Sequence, residues 1–366
     1  MRRSRAAPRA GGPARGGGDG EAAGSAEMGG DARDPAEVPP LPAHLQLEVT
    51  SACNLRCRMC LVRYRPPVNR AEGAMAPELF HRLLEEVPGL RRLTLQGLGE
   101  PLLSPHLMPM LAEAKRRGIR AGFNTNATLL TARRSAELVE LGVDWVHVSF
   151  DAARAATFEA IRDGADFAAV AAGIRGLWRA KRAAGARLPW TRVVLVAMRR
   201  NLAELPDVVR LLSGWGVDEL RVQNLAHSFQ DAGDGYAEIR AFTEAQALWR
   251  GEDRARTARV FAEAARVAGE CGLRLRLPEL TERRRVRADG EPGCSWPWEA
   301  AYVTSEGAVQ PCCMVMGDDR IALGDLRRQS FAEIWAGEPY REFRRRLRGE
   351  DPPEVCRGCA LYRGTF

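Results

Sequence analysis

Three cysteines constrain this chain more than any other feature. Cys53, Cys57 and Cys60 lie in the run Thr50-Ser51-Ala52-Cys53-Asn54-Leu55-Arg56-Cys57-Arg58-Met59-Cys60, directly after the strand-like stretch Leu45-Gln46-Leu47-Glu48-Val49. A cubane iron–sulfur cluster takes four thiolates. Three closely spaced thiolates without a nearby fourth hold such a cluster and leave one iron open to a ligand from outside the protein. An open metal position means chemistry, whereas a closed one means structure. The competing reading is a zinc site. Zinc knuckles favour two C-x2-C pairs or Cys/His mixtures, and the nearest histidines, His44 and His81, lack ligand spacing.

Composition narrows the class. The chain has 366 residues, 45% of them hydrophobic, which suits one large domain, alone or with a smaller one. No run of eighteen apolar residues occurs, so no membrane is expected. The start, Met1-Arg2-Arg3-Ser4-Arg5, is followed by polar Ala/Gly/Pro-rich sequence and not by the apolar core of an export signal. Nine cysteines, seven of them in metal-like clusters, fit a reducing compartment, and the cytoplasm is the expected location. The net charge of +7 carries little weight, because Lys115 and Lys181 are the only lysines and every other basic residue is arginine. The runs Arg283–Arg285 and Arg344–Arg346 lack interleaved aromatics. They read as solvated helix faces, and no nucleic-acid partner is expected.

Residues 1–38, rich in Gly, Ala, Pro and Arg, read as a disordered tail. The chain then alternates strand candidates (Leu45–Val49, Arg92–Gln96, Ile119–Phe123, Trp145–Phe150, Thr191–Met198, Glu219–Asn224) with helical stretches (Pro77–Val87, Leu107–Arg117, Thr131–Leu141, Phe167–Ala184, Ala203–Gly214). Gly118, Gly142 and Gly216 punctuate helix ends. Six such units predict an α/β fold with parallel strands, a partial (β/α)6 barrel over residues 39–280. Another helix, Ala255–Glu270, and a strand within Gly272–Pro278 follow. Residues 290–366 change texture and predict a small β-hairpin/helix domain. Cys294-Ser295-Trp296-Pro297-Trp298 leads into a hairpin turning at Glu306-Gly307, which delivers Pro311-Cys312-Cys313, and the segment closes on Cys356-Arg357-Gly358-Cys359.

The spacing C-x3-C-x2-C after a first barrel strand resembles the radical S-adenosylmethionine (SAM) superfamily. Three further strand ends carry the likeness. Gly97-Leu98-Gly99-Glu100-Pro101 is similar to the Gly-Gly-Glu-Pro motif that meets the methionine end of SAM, with Leu98 in place of the first Gly. Asn124-Thr125-Asn126-Ala127 is similar to a Thr-Asn-Gly element, with Ala127 in place of Gly. Val148-Ser149-Phe150-Asp151 resembles the Ser/Asp element near the ribose, and Arg162 is a candidate for the SAM carboxylate. The C-terminal segment resembles the SPASM/twitch extension, which holds an auxiliary 4Fe-4S cluster. The resemblance implies one such cluster on Cys294, Cys312, Cys356 and Cys359, with Cys313 as the alternative to Cys312. Adjacent residues on a strand face opposite ways, so both cannot easily serve one cluster.

The resemblance implies two [4Fe-4S] clusters and SAM as cofactors, with SAM chelated at the open iron by its amino and carboxylate groups. It also implies reductive cleavage of SAM to a 5′-deoxyadenosyl radical that takes hydrogen from a substrate, with electrons from a flavodoxin- or ferredoxin-type donor. The absence of a folded segment before Leu41 favours a small polar metabolite over a peptide. Oxidation is the expected outcome, and peptide maturation is the alternative. Epimerisation is a further one, with Cys271 or Cys313 as hydrogen donor. An iron–sulfur electron carrier or redox sensor is the reading from a different class.

Overall fold

The computed structural model describes residues 38–64, 73–248, 253–283, 290, 293–315 and 320–366. The expected N-terminal tail, apart from Val38, lies outside the described residues, as do Arg284 and Arg285.

Among the described residues ten strands form one sheet. They are β1 (His44–Leu47), β2 (Arg92–Leu95), β3 (Arg120–Thr125), β4 (Trp145–Ser149), β5 (Trp190–Val196), β6 (Glu219–Gln223), β7 (Arg274–Arg276), β8 (Ala300–Val303), β9 (Ala308–Gln310) and β10 (Gly324–Asp325). The order is β10-β9-β8-β1-β2-β3-β4-β5-β6-β7, and the sheet does not close. Strands β1 to β7 run parallel to their neighbours. A partial barrel of β/α units is therefore the architecture, as predicted.

Its helices follow the apolar spacing of the sequence. In Phe167–Ala183 the buried positions include Val170, Ile174 and Leu177, one face of a 3.6-residue repeat. Asp166 caps that helix by accepting the Ala169 amide, and Thr131 caps Ala132–Glu140 by accepting the Arg134 amide. Ala203–Gly214 differs from expectation. A 3-10 turn, Leu202–Glu204, precedes a helix that starts only at Leu205, because Pro206 lacks an amide and belongs in a first turn.

The C-terminal hairpin extends the barrel's own sheet. Strand β8 lies parallel to β1, pairing His44 with Ala300 and Leu47 with Val303, and turns back antiparallel into β9. Among the described residues, the helices outside the sequence reading include Ala237–Gln246 and, second, Glu338–Arg348. The second corrects the reading of Arg344 as solvated. Tyr340, Arg344 and Leu347 share the buried face of that helix. The Arg344 guanidinium donates to the carbonyls of Pro297 (2.7 Å) and Trp335 (2.8 Å) and lies over the rings of Trp335 and Tyr340.

Candidate active site

Every predicted strand-end motif arrives at the same end of the sheet, and the loop after β1 is the first to be fixed there. Its main chain is pinned from outside: the Arg56 amide donates to the Asp163 carbonyl and the Arg58 amide to the Ile161 carbonyl, each at 2.9 Å. The end of helix Ala155–Ile161 thus holds Cys53, Cys57 and Cys60 in place, and all three line a cavity of about 370 Å³.

Gly99 packs against this loop. A Cβ there would sit 2.3 Å from the Thr50 carbonyl oxygen and 2.4 Å from that of Ala52, so only glycine fits. Gly97 is equally crowded, by the Glu48 side chain. Leu98, at the position where the resemblance has glycine, lines the cavity and packs in a small apolar cluster with Leu61, Phe229 and Ile239.

Glu100 lines the cavity, yet its carboxylate is already engaged. It accepts the Thr125 hydroxyl (2.7 Å) and the amides of Asn126 (2.7 Å) and Leu102 (3.1 Å). It therefore ties the end of β2 to the end of β3. Asn126 in turn donates to Asn54 in the cysteine loop at 2.9 Å. Pro101 opens a buried 3-10 turn and does not line the cavity. Ala127 stands at φ +61°, the left-handed conformation that the family's glycine adopts without strain.

The Ser/Asp pair is split where the strand ends: β4 stops at Ser149, and Asp151 lies beyond it. Ser149 lines the cavity, whereas Asp151 is fully buried away from it. Asp151 accepts the Val196 amide at 2.8 Å and pairs with Arg162 at 2.6 Å. Its carboxylate therefore orients Arg162 and does not line the cavity. Arg162 lines the cavity and donates to the Cys57 sulfur at 3.7 Å. Cys271 ends helix Arg254–Cys271, exposed and away from the cavity. Cys313 does line it.

Glu48 is the residue that sequence reasoning missed. Fully buried, it accepts the Leu98 amide (3.0 Å), the Tyr302 hydroxyl (2.9 Å) and the Ser305 hydroxyl (3.0 Å). One carboxylate thus joins the loop after β2 to the C-terminal hairpin. A signal for it existed. In β1 and just beyond, Gln46 and Glu48 alternate with Leu45, Leu47 and Val49, and the polar alternate of a barrel strand points inward.

The thiols fit iron–sulfur clusters. Burial, followed by the charge of Cys57, pushes the Cys60 thiol up to about 12, and burial also raises Cys53 and Cys57. Such a trio ionises together only beside strongly cationic metal. No three His, Cys, Asp or Glu side chains among the described residues converge as a single ion requires. A cubane instead takes its thiolates on separate irons. The C-terminal cysteines show the same pattern. Burial raises Cys312 and Cys356 well above the usual thiol range, with further upward pressure on Cys312 from Cys313, Cys359, Cys294 and Cys356. Cys313 is pushed up to about 12 and Cys359 to about 11, burial leading in both. The cavity also presents ready acceptors for an organic ligand. Asn124 and Asn224 both line it, each with a buried amide oxygen that has no hydrogen-bond partner among the described residues.

Comparison with known proteins decides the family. A radical SAM superfamily model matches residues 47–214, and an iron–sulfur cluster-binding SPASM domain model matches residues 294–360. The chain belongs to the radical SAM superfamily. A relative, the tungsten-containing aldehyde ferredoxin oxidoreductase cofactor-modifying protein of Pyrococcus furiosus, is 30% identical over 322 residues, 82% of this chain and 83% of the relative. PqqA peptide cyclase of Rhodopseudomonas palustris is 26% identical over 342 residues, covering 90% of this chain and 82% of that protein. Streptococcus suis SuiB bound to precursor peptide SuiA superposes with a TM-score of 0.66 at 15% identity, over 90% of this chain and 72% of SuiB. Native anSMEcpe with bound AdoMet superposes at 0.63 and 18%, over 88% of each chain. These two solved structures support the radical SAM/SPASM fold. A core and an auxiliary 4Fe-4S cluster, with SAM, are the cofactors of this radical SAM/SPASM enzyme. Among the described residues no helix is long and apolar enough to cross a membrane.

Proposed function

We propose that this radical SAM enzyme removes a hydrogen atom and then an electron from one carbon centre, a net two-electron oxidation of a neutral polar substrate group. The observation that carries the reading is a single cavity bordered by Cys53, Cys57 and Cys60 and also by Cys313, the neighbour of the auxiliary thiols. When bound, the core cluster and SAM supply a hydrogen-abstracting 5′-deoxyadenosyl radical, and the auxiliary cluster supplies a one-electron acceptor. Cys53, Cys57 and Cys60 would hold the first cluster. Cys294, Cys312, Cys356 and Cys359 would hold the second, and Cys313 would face the substrate.

The protein's own task is to orient the substrate and exclude water. The charges of the lining are already engaged: Glu100 in three hydrogen bonds, Arg162 with Asp151. Amides, hydroxyls and rings (Gln223, Asn224, Thr243, Tyr302, Phe229) make up much of the rest. Such a lining favours hydroxyl or amide groups over a free carboxylate or ammonium, as in a sugar-like metabolite. A peptide side chain is the second reading. It is favoured by similarity over nine-tenths of the chain to a relative named for a peptide substrate. A flavodoxin- or ferredoxin-type protein would deliver the electrons.

The test is anaerobic reconstitution with SAM and dithionite in heavy water, with candidate polyols and precursor peptides as substrates. Oxidation yields 5′-deoxyadenosine and a product two mass units lighter, without deuterium at carbon. A product of unchanged hydrogen count that carries one deuterium at carbon would replace oxidation with epimerisation. No 5′-deoxyadenosine from fully loaded protein would leave only an electron-transfer role.

A further inference from the structure

The cavity and the auxiliary thiols share one wall, the segment Ala226–Phe229 just after β6. The Ser228 amide donates to the Gly358 carbonyl and the Ala360 amide to the Ala226 carbonyl, each at 3.0 Å, and His227 bridges to Cys359. Gly358 permits this contact, since a Cβ there would meet Ser228 Oγ at 2.3 Å. The His227 ring is buried with its Nδ1 accepting the Phe229 amide (2.8 Å), which leaves Nε2–H to donate to the Val355 carbonyl (2.6 Å), next to Cys356. A charge pair packs against the same two rings, His227 and Phe229. Arg320, with 3% of its side chain exposed, meets Asp231 at 2.6 Å. Its guanidinium lies 5.4 Å from the centre of the Phe229 ring and 5.9 Å from that of Tyr236. Phe229 itself lines the reaction cavity.

Both charges sit against the ring that borders the thiols: Arg320 Nη2 lies 3.3 Å from His227 Nε2 and Asp231 Oδ1 lies 3.8 Å from His227 Nδ1, and His227 bridges to Cys359. We propose that Arg320 and Asp231 are opposed positioning residues that set the reduction potential of the auxiliary cluster, the guanidinium raising it and the carboxylate lowering it. Reduction adds one negative charge to the cluster, so a fixed cation nearby stabilises the reduced form and a fixed anion disfavours it. Little of either side chain is exposed (3% and 11%), so dissolved salt weakens their field less than it would at an open surface. The wall built on Phe229 and His227 places this pair beside both the substrate space and the electron acceptor.

The proposal rests on the reading that the auxiliary cluster accepts the substrate's electron. Potentials measured without substrate test the charges, whereas product mass tests that reading, so the two fail separately. The experiment is an EPR-monitored redox titration of fully reconstituted enzyme without SAM or substrate. Arg320→Gln is expected to lower the midpoint of the auxiliary cluster and Asp231→Asn to raise it, with the core cluster unmoved and Arg320→Lys close to the parent protein. A merely structural role would shift both variants the same way. Shifts of one sign, or wild-type midpoints in iron-replete variants, overturn the proposal. If Arg320→Gln fails to load iron, the sign seen in Asp231→Asn decides alone: a raised midpoint supports the proposal, and an unchanged or lowered one overturns it.

Discussion

The two thiol sites of this molecule are built on opposite plans. At the barrel end, three cysteines sit within eight residues of one loop, and the rest of the site consists of backbone geometry imposed by neighbours: Gly99 against the carbonyls of Thr50 and Ala52, Glu100 across β2 and β3. At the C-terminal end, the thiols come from positions as distant as Cys294 and Cys359, and the Cys356–Cys359 segment is fixed against Ala226–Ser228 by an isolated bridge and its hydrogen bonds. The first site is specified locally. The second exists only once the fold does.

The largest test of that contrast is removal of the local thiols. Cys53→Ala/Cys57→Ala/Cys60→Ala is expected to abolish 5′-deoxyadenosine formation and to lower the iron content from about eight to about four per chain. Loss of all iron would show that the second site depends on the first. Next comes the buried pair beneath the cysteine loop. Arg162→Met strands the carboxylate of Asp151 and should destabilise the protein by about 3–5 kcal/mol in chemical denaturation. Arg162→Met combined with Asp151→Leu should recover much of that loss.

Legibility followed the same division. Strands β1 to β6 lie within a residue or two of their predicted bounds, because short apolar runs between helix-length amphipathic stretches leave little freedom. Cys53, Cys57, Cys60, Gly99, Glu100, Asn126, Ser149 and Arg162 all reach one cavity. What remained hidden depends on tertiary partners. The inward turn of Glu48 needs a hairpin from beyond residue 300 to receive it. The engagement of Asp151 with Arg162, and not with the cavity, needs the end of the helix after β4. Arg344 looks solvated in a run of arginines until the aromatic face of Trp335 and Tyr340 covers it.

Two smaller substitutions sharpen the comparison. Tyr302→Phe removes one donor to Glu48 and leaves the other partners of that carboxylate in place, so a loss of about 1–2 kcal/mol is expected. Because Tyr302 belongs to the hairpin and Glu48 follows β1, the same variant should weaken SAM binding if the two ends of the chain support one site; unchanged binding would separate them. The smallest effect is a gain. Ala127→Gly relieves the left-handed strain at φ +61° and should raise stability by about 1 kcal/mol, read as a higher thermal midpoint, with iron content unaltered.

The pairing of β1 with β8 sets the order in which the molecule can be finished. The strand that leads into the Cys53–Cys60 loop leaves the ribosome well before its second neighbour, which lies far along the chain: Glu48 and Tyr302 are 254 positions apart. Until that late segment arrives, β1 offers an unsatisfied, Leu-rich edge to any other nascent chain. Truncations before Ala300 should therefore aggregate rather than yield a soluble half-enzyme. In longer chains the part of the cavity lining that Tyr302 and Cys313 supply is added only after the barrel strands have been made.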